Sequence, residues 1–123
     1  MAMTVSTQVN PIATRLAQDS ALGATIQANV FGAPVTLHLV EINNSANAAA
    51  ASYVKVWDAL TATVGTTDPA LVLKAPANSS VTYALPGGLA CAVGLSVACV
   101  TSPGTPGVTS PASGVVVRLL ASV

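Results

Sequence analysis

Val35-Thr36-Leu37-His38-Leu39-Val40-Glu41-Ile42 opens with alternating apolar and polar side chains and runs into Asn43-Asn44-Ser45. The alternation puts Val35, Leu37 and Leu39 on one face of an extended strand and Thr36 and His38 on the other. Its β-branched residues suit the pleated backbone, and the Asn-Asn-Ser triplet turns the chain where the run stops. The segment predicts a half-buried strand. The rest of the sequence repeats the pattern.

Further strands are predicted over residues 52–58, 71–74 and 81–85, the last ended by Pro86-Gly87-Gly88. Residues 89–100 hold one strand and room for a second, 115–120 close the chain, and 25–31 open the sheet. Residues 101–114, rich in Pro, Gly, Ser and Thr, read as a surface loop. The alanine-rich stretch 46–51 reads as a loop or strand entry rather than a helical turn. Strands recurring every ten to twenty residues, with turn formers between them, predict an all-β fold: a single sandwich or barrel of about seven strands.

One segment breaks this rhythm. Asn10 as N-cap, Pro11 at the first helical position and Gly23 just past the end frame a short helix, with Ile12 and Leu16 on one face. At roughly a dozen residues such a helix is marginal by itself. Residues 1–22 are therefore expected to form an N-terminal arm or short helix, and 23–123 the β domain. Ile12, Leu16 and Leu22 are the candidate contacts the arm would make with a neighbouring subunit.

The chain has 123 residues, of which 52% are hydrophobic and 7% charged, with four Lys+Arg balancing four Asp+Glu. A typical soluble domain carries charge on about a quarter of its residues. A surface this poor in charge does little to keep copies apart, so burial against other subunits is expected, with a homotrimer the favoured stoichiometry. No basic cluster marks a nucleic-acid binder or a polybasic membrane anchor. The charge-free stretch 75–117 is cut by prolines, and its longest apolar piece, 89–100, falls short of the ~20 residues a membrane helix needs. Residues 1–7 lack the basic and apolar regions of a secretion leader.

Chemistry-bearing constellations are sparse. Asp19, Glu41, Asp58 and Asp68 are scattered, Asp68 beside Pro69 as a turn residue and Asp58 at a strand end. His38 is the single histidine, and no Gly-x-Ser-x-Gly elbow accompanies it. Cys91 and Cys99 would lie roughly 26 Å apart on one strand at ~3.3 Å per residue. They pair only if the chain reverses near Gly94, and read instead as buried free thiols, suited to a reducing cytoplasm. Catalytic residues, metal ligands and cofactor sites are not expected, and the chain is not read as an enzyme.

Tyr53-Val54-Lys55-Val56-Trp57 is the constellation with most to say. Strand periodicity gives Val54 and Val56 to the core and puts Tyr53, Lys55 and Trp57 together on the other face. That face has three readings: packing inside the chain, a subunit interface anchored by aromatic residues, or a platform stacking on sugars.

The stretch Ser52-Tyr53-Val54-Lys55-Val56-Trp57-Asp58, then Val64-Gly65-Thr66-Thr67-Asp68-Pro69, Val72-Leu73-Lys74-Ala75-Pro76-Ala77 and Pro86-Gly87-Gly88-Leu89-Ala90, resembles small structural proteins of tailed bacteriophages. The resemblance covers roughly residues 52 to 101 and consists of strand and turn signatures. It implies a virion component assembled in the host cytoplasm, most simply a capsid decoration (cement) protein that binds the major capsid protein or another virion protein. A neck, tail or baseplate component is the nearest alternative. A carbohydrate-binding or adhesion module using Tyr53 and Trp57 is the alternative of another class.

Overall fold

The computed structural model describes residues 3–7 and 13–123. They form eight strands: β1 (Thr4–Thr7), β2 (Arg15–Leu22), β3 (Val35–Asn43), β4 (Ser52–Asp58), β5 (Leu71–Ala75), β6 (Ser80–Cys91), β7 (Leu95–Val100) and β8 (Val115–Ser122). All pairings are antiparallel, in a five-stranded sheet ordered β1-β2-β8-β3-β6 and a three-stranded sheet ordered β5-β4-β7. The two sheets give a sandwich-like all-β fold and do not close into a barrel.

The core lies between them. Val35, Leu37, Val40 and Ile42 of β3, with Val115, Val117, Leu119 and Ala121 of β8, meet Val54 and Val56 of β4 and Leu95, Val97 and Cys99 of β7. β8 keeps a strict period of two, every second residue turning inward, whereas β3 and β2 change step at bulges, between Leu37 and Leu39 and between Asp19 and Leu22. Cys91 and Cys99 are free and buried, one in each sheet. The chain does reverse between them, at residues 92–94, where Asp58 Oδ1 accepts from the Val93 and Gly94 N–H groups at 2.9 and 3.4 Å.

Four expectations need correction. Leu39, expected on one face with Val35 and Leu37, lies on the opposite, outer face, because the bulge at His38 shifts the alternation so that Val40 and Ile42 turn inward. The segment read as a helix or arm is, from Arg15 to Leu22, a strand paired with β8 through Leu16–Leu120 and Gln18–Arg118. Ala17 and Leu22 are fully buried in the core, so residue 22 marks no boundary between an arm and a domain. Ala17 and Leu22 gain more by packing against the sheet than a short, marginal helix could supply. Residues 25–31 are not a strand. They run beside β7 through a single bridge, Gln27 to Val97, and through bonds from Val30 N to Leu95 O and Cys99 N to Gly23 O. This irregular cover satisfies and protects an edge that would otherwise be open.

Pro86-Gly87-Gly88 does not end a strand either. β6 continues to Cys91, and residues 85–88 lie opposite His38 alone, between the pairs Leu39–Ala84 and Leu37–Leu89. Gly87 and Gly88 both have φ of 78°. A Cβ on Gly88 would collide with Thr36 Cγ2, so this bulge depends on glycine twice over.

The Asn43-Asn44 turn opens a buried polar network. Asn44 Oδ1 accepts from Ser52 Oγ at 2.8 Å and from Asn47 Nδ2 at 2.9 Å, while Asn44 Nδ2 donates to the carbonyls of Ala50, Ala75 and Pro76. Asn47 bonds the Ser113 backbone in both directions. The alanine-rich stretch 46–51 is thereby held as a loop, and residues 101–114 form a loop without regular structure.

Candidate functional site

The two sheets treat their outer faces differently. Lys55, Trp57, Ser96, Ala98 and Val100 all point away from the core of the three-stranded sheet, yet all are buried. The chain's own loops cover them. Trp57 Nε1 donates to Thr67 O at 2.9 Å, and Lys55 Nζ to Gly104 O at 2.6 Å. Ser96 Oγ donates to Ala59 O and accepts from Asn29 N. Thr105 Oγ1 donates to Asp68 Oδ1 at 2.6 Å and joins two of the covering loops to each other.

Tyr53, Lys55 and Trp57 therefore share a face as their spacing predicts, but not a surface open to a partner. Trp57 is 2% and Lys55 1% exposed, while Tyr53 is half-buried. As anchors for another subunit, or as an aromatic platform for a sugar, Trp57 and Lys55 have no area to offer. Of the three N-terminal candidates, Ile12 lies outside the described residues, and Leu22 is wholly inside the core. Leu16 alone is half-buried and faces outward.

Leu16 leads to a surface that the sequence reading missed. Register places Ser6, Leu16, Leu120, Leu39 and Ala84 side by side in one row across the outer face of the five-stranded sheet. All three leucines are half-buried. The next row is Thr4, Gln18, Arg118, Glu41 and Thr82. At its centre Arg118 and Glu41 stand 3.8 Å apart, their side chains 49% and 43% exposed. On the other side of the leucines lie Ser122 and Thr36, opposite each other, with His38 Nε2 3.1 Å from Ser122 Oγ.

A shallow groove of ≈ 310 Å³ sits over this ion pair, bounded by Asn43, Ser80, Thr82 and Val116. Among the described residues, no group of three or more His, Cys, Asp or Glu is placed to hold a metal ion, and no helix is long and apolar enough to cross a membrane.

The local signal for this face is Arg118, a lone charge among the apolar residues of Val116-Val117-Arg118-Leu119-Leu120. Both faces of that segment carry apolar residues, so it does not say that Leu120 turns outward, and the partners Glu41, Leu16 and Leu39 come from other strands. Compared with models of known families, with curated proteins and with solved structures, the chain matches none.

Proposed function

We propose that this chain is a structural component of a tailed-phage particle, a decoration (cement) protein that binds and stabilises the capsid shell as a homo-oligomer. One observation carries the reading: a sandwich that covers one outer face with its own loops leaves the other, among the described residues, without such cover, with a row of half-buried leucines beside the Arg118–Glu41 ion pair. Such a face gains by being covered, since each apolar group removed from water contributes about 25 cal/mol per Å². The resemblance over residues 52 to 101 supports the same reading.

The shell contact falls to β1, the edge of the five-stranded sheet, where Thr4, Val5 and Ser6 are exposed. An edge strand can add to a strand of another protein through its backbone. Repeated over a shell, many weak contacts add up through avidity. The two free, buried thiols suit assembly in a reducing host cytoplasm.

The test is to incubate the purified protein with particles that lack it and count bound copies by gel densitometry. Hundreds of copies per particle, with a raised disruption temperature, support a decoration protein. A handful of copies supports a neck, tail or baseplate component instead. Absence of binding overturns the particle reading.

A further inference from the structure

We propose that the outer face of the five-stranded sheet is the docking surface for a second copy of this chain, related by a two-fold axis running along the strands between β3 and β8. This rests on the homo-oligomer part of the proposed function and gives it a two-fold dimer in place of the homotrimer expected from composition; the isolated protein tests it without the shell.

The sheet's own register carries the inference. Rotation about that axis lays β8 of one copy over β3 of the other, and β2 over β6. Leu120 then faces Leu39 and Leu16 faces Ala84, so the apolar row meets an apolar row. Arg118 faces Glu41 and Gln18 faces Thr82, each contact occurring twice, as an isologous interface requires. Ser122 faces Thr36. These matches follow from pairs that are already neighbours across β3 and β8: Leu39–Leu120, Glu41–Arg118 and Thr36–Ser122.

Charge selects this axis. A two-fold running instead along the leucine row would place Arg118 over Ser122 and Glu41 over Thr36, desolvating both charges without an opposite charge from the other copy. The strand-parallel axis gives each charge two opposite neighbours, one in its own chain at 3.8 Å and one in the other. The groove over Glu41 leaves room for the long side chain of the incoming Arg118. Sheets packed face to face in this way usually cross at about 30°, which the two-fold meets when each sheet's strands tilt by half that angle from the axis.

The size of the contact sets its strength. Four strands at ~4.8 Å spacing and eight residues at ~3.3 Å cover roughly 500 Å² per copy. The total of about 1,000 Å² lies at the lower limit for a specific interface. A reversible dimer is expected, one that dissociates on dilution.

Sedimentation equilibrium of the full chain, from low micromolar to near-millimolar concentration, tests this. The expected result is a monomer–dimer equilibrium that Arg118→Glu or Glu41→Arg weakens by about tenfold or more. The double variant carrying both changes keeps opposite charges face to face and should recover most of the affinity. Melting curves of each variant show that the fold is retained.

A geometric check uses cysteine. An equimolar mixture of Leu39→Cys and Leu120→Cys chains should oxidise to a cross-linked dimer, whereas neither variant should do so by itself. A monomer at every concentration overturns the proposal. So does a trimer or other multimer indifferent to the charge changes, or a cross-link formed equally well by one variant alone.

Discussion

The ammonium of Lys55 donates to the carbonyl oxygen of Gly104 at 2.6 Å, pinning the loop between β7 and β8 over the outer face of the three-stranded sheet. Burial lowers the Lys55 pKa from its ordinary value of 10.5. Between that lowered value and 10.5 the unfolded chain binds more protons than the folded one, so stability rises with pH across the window. Lys55→Met should remove that rise. Near neutral pH it should leave stability within about 1 kcal/mol of the parent, or above it, because a buried charge is replaced by an apolar chain of similar length. Thermal melts of both proteins at several pH values check this, and hydrogen exchange should show residues 102–108 opening faster in the variant.

Trp57 serves the fold rather than a partner. Trp57→Ala should cost about 3–5 kcal/mol of folding stability, combining lost burial with the cavity left under the loop that holds Thr67. Denaturant titration measures the loss. Self-association of the fraction that stays folded should be unchanged, since the ring has no exposed area to lend to an interface.

Asn44 holds a buried network in which every amide atom is used. Asn44→Ala takes the shared acceptor from Ser52 Oγ and Asn47 Nδ2, the latter keeping only the Ser113 carbonyl, and removes the amide donor from the carbonyls of Ala50, Ala75 and Pro76. It should cost about 2–4 kcal/mol. Ser52→Ala, which removes one donor and leaves Asn44 its other partners, should cost about 1 kcal/mol. A calorimetric comparison of the two variants separates the network from its single members.

Truncation should distinguish β1 from β2. Removing residues 1–7 takes away an exposed edge strand, and a cooperative melt should survive. Removing residues 1–22 also deletes β2, strips β8 of a hydrogen-bonded neighbour and uncovers the core where Ala17 and Leu22 were buried. That protein should fail to fold or aggregate, as circular dichroism and light scattering would show.

Both thiols should be inert in the native protein. Burial, with the nearby Asp58 charge as a smaller cause, raises the Cys91 pKa to about 11, and burial raises that of Cys99 to about 12. At neutral pH the reactive thiolate is scarce at either site and shielded besides. Iodoacetamide should modify neither residue in the folded chain and both after denaturation, counted by intact-protein mass spectrometry.

The sequence by itself determined the all-β class and most of the strands, because alternation of apolar and polar residues is a local signal. β4 runs over Ser52–Asp58 as its pattern predicts, and β3 and β8 extend one or two residues beyond theirs. Local signals also misled. Asn10, Pro11 and Gly23 satisfy the rules for helix ends, but the burial of Ala17 and Leu22 beside β8 is a long-range gain that capping chemistry cannot reveal. Pro86-Gly87-Gly88 carries the composition of a turn, and only pairing with β3 on both sides makes it a bulge within a strand. Tyr53, Lys55 and Trp57 share a face by periodicity alone. Whether that face meets water, a partner or the chain's own loops depended on where Thr67 and Gly104 come to rest. The row of Leu16, Leu120 and Leu39 joins three strands far apart in sequence, and its existence rests on register, which is set by packing across the whole sheet.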